Sequence, residues 1–141
     1  MRKRIVAFLC MMMVFTMTTG VAMAKQVYWS AQCDKNTYRD SKWGDASKFT
    51  VYGTSNLAYL TLENTSGSAK YLTCQMAEYS DNIGWTDSSS AAGLRQNGVQ
   101  ISAQIARDTY VVGYYYHGGY CYNDQSCSRV IDDYLYKAYQ D

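Results

Sequence analysis

Val99-Gln100-Ile101-Ser102-Ala103-Gln104-Ile105-Ala106-Arg107 puts Val99, Ile101, Ala103 and Ile105 on one side of an extended chain and Gln100, Ser102, Gln104 and Ala106 on the other. A helix would scatter these residues around its axis. Strict period two predicts a half-buried strand. The pattern recurs upstream. Phe49 and Val51 alternate with Lys48, Thr50 and Tyr52, and Gly53-Thr54-Ser55-Asn56 then reads as a turn. Ala58, Leu60 and Leu62 oppose Tyr59, Thr61 and Glu63. After a second turn at 64–68, Leu72, Cys74 and Met76 share one side of Tyr71 to Tyr79. These segments read as a β-meander.

Downstream, Arg107-Asp108 reads as a tight turn into Thr109 to His117, which is dense in β-formers, so the two strands are expected to form a hairpin. The stretch from Ser80 to Asn97, with Gly84, three serines and Gly93, reads as a loop anchored by Trp85. Near the end, Val130, Ile131, Tyr134, Leu135 and Ala138 fall at helical spacing. Ser128 is placed to cap such a helix, and Asp132 and Asp133 lie in its first turn. A final strand is the alternative, disfavoured because Asp132 and Asp133 would then take opposite faces. The expected fold is all-β and mainly antiparallel, a small β-sandwich or partly open barrel with a short C-terminal helix.

The first 24 residues read differently. Arg2, Lys3 and Arg4 precede an uncharged apolar run, and Ala22-Met23-Ala24 supplies a small-x-small cleavage pattern, as in a secretory signal peptide. Residues 25–141 then form the expected single domain, secreted or held at the cell surface, with no stable membrane insertion after cleavage. Losing three of 13 basic residues leaves ten against 12 acidic ones, scattered without a cluster. Nucleic acid binding needs a concentrated positive face, so no nucleic acid partner is expected.

Cys10 leaves with the signal, and Cys33, Cys74, Cys121 and Cys127 remain. Four cysteines in an exported chain predict two disulfides with three connectivities, of which Cys33–Cys74 with Cys121–Cys127 is favoured. Zinc is a poor fit, because Cys121 and Cys127 lack ligand spacing and the chain has one histidine. No metal and no cofactor is expected.

All 15 tyrosines lie beyond residue 24, and Tyr114-Tyr115-Tyr116-His117-Gly118-Gly119-Tyr120-Cys121-Tyr122 concentrates them. Tyrosine joins an apolar ring to a polar tip and suits wet binding surfaces. Tyr114, Tyr115, Tyr116, His117, Tyr120 and Tyr122 are therefore the candidate ligand-binding residues. Tyr114 and Tyr116 share one face of the strand and Tyr115 and His117 the other. Tyr115, His117, Tyr120 and Tyr122 are expected to offer rings for sugar stacking and hydroxyl and imidazole hydrogen bonds. Cross-strand packing would use the same tyrosines, contributing roughly 0.2–1 kcal/mol per pair. No catalytic residue is assigned. His117 lacks a nucleophile elbow, and the aspartates lie mostly in turn-like contexts. Asn64-Thr65-Ser66 fits a glycosylation sequon, but the turn reading suffices. The chain reads as a small exported binding protein that contacts a cell-envelope glycan or a cell-surface protein. A bacteriocin-like toxin, a small hydrolase and a purely structural protein are the rivals.

Overall fold

The computed structural model describes residues 24–32 and 37–141. The signal segment up to residue 23 and Cys33 lie outside the described residues. Every regular element described is a strand: β1 (Lys25–Gln32), β2 (Tyr38–Trp43), β3 (Ser47–Gly53), β4 (Leu57–Asn64), β5 (Lys70–Ser80), β6 (Gly84–Arg95), β7 (Gln100–Ala106), β8 (Gly113–Tyr122) and β9 (Val130–Gln140). They form a five-stranded sheet in the order β1-β9-β8-β5-β6 and a four-stranded sheet in the order β2-β3-β4-β7. All neighbours are antiparallel except β1 and β9, which run parallel. The sheets do not close into a barrel. This is a small β-sandwich.

The period-two segments deliver the core. Phe49, Val51, Ala58, Leu60, Leu62, Ile101, Ala103 and Ile105 from the four-stranded sheet meet Leu72, Cys74, Met76, Tyr115, Cys121, Tyr134, Tyr136 and Ala138 from the other. Phe49 stacks on Tyr134 at 4.9 Å, with Trp29 edge-on to Phe49 at 5.9 Å. Gly119 leaves room for this stack, since a Cβ there would lie 3.0 Å from Phe49.

Several expectations are corrected. The meander breaks after β4, because β4 pairs with β7 while β5 crosses to the other sheet. The hairpin between Val99–Arg107 and Thr109–His117 is also absent. Residues 107–112 carry the chain across the mouth of the sandwich, where Gln140 Nε2 donates to the carbonyls of Asp108 and Val111, both at 2.8 Å. Arg107 Nε donates back to Gln140 Oε1 at 2.9 Å. Ser80–Asn97 is largely a strand rather than a loop. β6 is an edge strand of small polar residues and shows little apolar periodicity.

The C-terminal helix is replaced by β9, which lies between β1 and β8. Both aspartates that argued against a strand are accommodated. Asp132 turns inward and accepts from the backbone N–H of Asp45 (2.6 Å) and Ala46 (2.9 Å) and from Ser47 Oγ (2.7 Å). Asp133 turns outward under Tyr28, whose hydroxyl donates to its Oδ2 at 2.5 Å.

The disulfide expectation fails for the described cysteines: Cys74, Cys121 and Cys127 are free thiols. Cys121 faces the core, whereas Cys127 is exposed on the β8–β9 loop. That loop is closed by Asn123 N–H to the Arg129 carbonyl (3.0 Å) and by Asp124 accepting from Ser126 N–H (2.8 Å). Cys74 faces the core from β5.

Candidate functional site

β8 separates the sequence-predicted residues by parity. Tyr115 and His117 point between the sheets and are fully buried, while Tyr114, Tyr116, Tyr120 and Tyr122 take the outer face, where Tyr120 is itself covered by its neighbours at 3% exposure. Tyr115 and His117, expected to stack on a sugar, are thus withdrawn from any surface.

Tyr115 and His117 serve the core. Tyr115 Oη donates to the Asp108 carbonyl at 3.2 Å and fixes the crossing loop. His117 Nε2 lies 3.0 Å from Tyr38 Oη, and its ring packs edge-on against Tyr38 and Tyr136. Burial holds the imidazole well below its ordinary range, at about 3, so it is neutral. A general base needs access to a substrate proton, and this ring has none.

The outer face is laid out by the ladder register. Successive rows across β5, β8 and β9 read Tyr79–Tyr114–Tyr139, Ala77–Tyr116–Lys137, Gln75–Gly118–Leu135 and Thr73–Tyr120–Asp133. Tyr71 and Tyr122 pair in the next row. Aromatic rings therefore gather at two ends. At one, Trp85 from β6 meets Tyr79 at 5.0 Å and Tyr116 at 5.3 Å, and Tyr114 meets Tyr139 at 4.9 Å. Lys137 Nζ lies 5.7 Å from the Tyr116 ring centre. At the other, Tyr122 contacts Tyr71 at 6.3 Å and Tyr120 at 5.6 Å.

Between the ends lies the row Gln75–Gly118–Leu135, flanked by Ser90 of β6, while Ala77 is buried in the Tyr116 row. From Tyr116 to Tyr120 the span is about 14 Å at roughly 3.4 Å per residue. No other described strand packs on this face. Burial raises the hydroxyls of Tyr116, Tyr120 and Tyr122, which keeps them protonated as donors.

Sequence reasoning missed Tyr79, Trp85, Tyr139 and Asp133. The parity of β5 already put Tyr79 opposite Leu72 and Met76, so it was recoverable. The other three depended on elements read as a loop or a helix. A cleft of about 490 Å³ opens between β6 and β7, lined by Asp87, Ser89, Gln104 and Ile105 and also by Gln75, Ser88 and Ser90 at the edge of this face. It brings together none of the predicted residues. Among the described residues no group of His, Cys, Asp and Glu is placed to hold a metal.

The class defined by these observations is a β-sandwich presenting an aromatic sheet face. No protein-family model and no curated protein matches the sequence. Among solved structures, a β-glucuronidase from glycoside hydrolase family 2 is similar over 74% of this chain, at 14% identity and a TM-score of 0.35. The chain spans 11% of that protein's length, and a likeness this slight carries no argument.

Proposed function

We propose that the protein is an exported binding module that lays a glycan chain along β8 on the outer face of the five-stranded sheet. The observation carrying this reading is the pair of aromatic clusters, Tyr79/Trp85/Tyr114/Tyr116/Tyr139 and Tyr71/Tyr120/Tyr122, on one face with the row Gln75–Gly118–Leu135 between them. Sugar rings offer apolar C–H faces to such aromatic planes, and their hydroxyls meet tyrosine hydroxyls at the rims. Gly118, without a side chain, lets an extended chain run along β8 from one cluster to the other. Export places such a surface where envelope glycans are found.

The test is a sedimentation assay of the purified chain with insoluble cell-wall polysaccharides, beside a Trp85→Ala/Tyr116→Ala variant with native circular dichroism. Saturable binding weakened at least about ten-fold in the variant, equal to about 1.4 kcal/mol, is the expected result. Absent wild-type binding, or equal binding by the folded variant, overturns the reading.

A further inference from the structure

At the Tyr120 end of this face lies a carboxylate that the fold leaves half-satisfied. Asp133 is 4% exposed, and its Oδ1 is buried with no hydrogen-bond partner. Its Oδ2 accepts from Tyr28 Oη alone. Thr73 Oγ1, on the same cross-strand row, is buried and engages only the Tyr122 hydroxyl, leaving it free to accept. An ionised carboxylate out of water is costly unless charge and hydrogen bonds compensate it.

Among the described residues, the lysines on neighbouring strands are engaged elsewhere. Lys137 sits over Tyr116, Lys25 pairs with Asp45 at 3.7 Å, and Lys70 donates to Ser68 at 2.6 Å. The surroundings are instead the rings of Tyr28, Tyr120 and Tyr122. Aromatic walls around an anion describe a receptor for a cation: the π-faces attract positive charge and the carboxylate neutralises it. Tyr28 belongs to the edge strand β1, is 51% exposed, and is tied to Asp133 by that one hydrogen bond. Rotation of its phenol about the side-chain bonds opens the corner and frees Oδ2.

We propose that the Tyr28/Thr73/Tyr120/Tyr122/Asp133 corner is a subsite for the primary ammonium group of an amino sugar, so that the glycan preferred by this face carries free amines. The inference rests on the glycan reading above. Asp133 receives the ammonium, Thr73 Oγ1 offers a further acceptor, and the tyrosine rings flank the sugar. Uronate and sulfated chains are disfavoured, because their anions would face the Asp133 carboxylate. Burial pushes the Asp133 carboxyl up to about 6, so it remains anionic above neutral pH.

The test uses three β-1,4-linked hexamers of similar shape, those of glucose, N-acetylglucosamine and glucosamine, titrated calorimetrically into the full mature chain at pH 7.5. The glucosamine hexamer is expected to bind at least ten-fold more tightly than the other two. Asp133→Asn, which keeps the shape and removes the charge, is expected to abolish that preference. Tyr28→Phe, which removes only the competing hydroxyl, is expected to retain it. Equal binding of the three hexamers, or a preference surviving in Asp133→Asn, overturns the amine subsite. The aromatic-face reading would still stand if binding fell in Trp85→Ala/Tyr116→Ala. Binding of none of the hexamers overturns the subsite, and the polysaccharide sedimentation assay then decides the wider reading.

Discussion

Asp132 shows how one side chain can override a local pattern. Its carboxylate takes three hydrogen bonds from the β2–β3 turn, and Gly44 is the residue that lets it approach. A Cβ on Gly44 would stand 2.3 Å from Asp132 Cγ. Asp132→Ala leaves two buried amides and a hydroxyl without their acceptor and is expected to cost about 3 kcal/mol or more in urea denaturation. Gly44→Ala should destabilise in the same direction, whereas Asp45→Ala, in the exposed turn, should not. Two other residues give stability a readable pH dependence. His117 is held neutral with its pKa lowered to about 3, so its contribution is present above the ordinary 6.5 and is lost as pH falls from there. Asp133 is raised from 3.8 to about 6, so its contribution is fully present below 3.8 and is lost as pH rises through 6. The two oppose each other between about pH 4 and 6. Asp133→Asn should therefore steepen the acid loss of stability toward the one-proton limit of about 1.4 kcal/mol per pH unit. His117→Gln should remove it and leave stability rising as pH falls from about 6 to 4. Urea midpoints at pH 7.5, 6, 5 and 4 for the three proteins check both signs.

At the level of the element, what was legible in sequence follows from who the neighbours are. β3, β4, β5 and β7 each put one face on the core and the other toward solvent, so their parity is written in the residues themselves. β6 escapes because an edge strand of serines and glycines needs no apolar face. β9 escapes for the opposite reason. It is lined on both faces with groups that find specific partners: Asp132 under the turn, Asp133 under Tyr28, and Gln140 on the crossing loop. Those partners lie far away in sequence, so the apolar residues alone mimicked a helical stripe. The candidate site shared this fate. The tyrosine-rich segment was visible, but deciding which four of its six residues faced outward required knowing that β8 is a central strand. Because β9 pairs on both sides, ending the chain after Ser128 removes the ladder that joins β1 to the sheet among the described residues and one of the two that β8 has. Such a truncation is expected to abolish the cooperative urea transition. A chain whose last segment was an appended helix would keep most of it.

At the level of the whole molecule, the first and last described strands pair with each other, so the sandwich is sealed by contacts between the two ends of the domain. Cys74 on β5 and Cys121 on β8 face the interior from adjacent strands at the middle of the larger sheet. Burial pushes both thiols up to about 12, which leaves almost no reactive thiolate at neutral pH. Reagent therefore reaches them only when the two sheets part. Cys127 stands exposed on its loop and needs no opening. These differences make the thiols reporters of global stability. In native protein without reductant, residue-resolved mass spectrometry should show Cys127 alkylated first. Cys74 and Cys121 should follow together at one common rate, slower by about 10³-fold or more, as expected when access requires unfolding. Urea should accelerate that shared rate in proportion to the unfolded population while leaving Cys127 nearly unchanged. Rapid native labelling of Cys74 alone would mean that β5 opens locally and that the sheets do not part as a unit. Failure of Cys74 or Cys121 to label even in concentrated urea would restore the disulfides expected from the sequence.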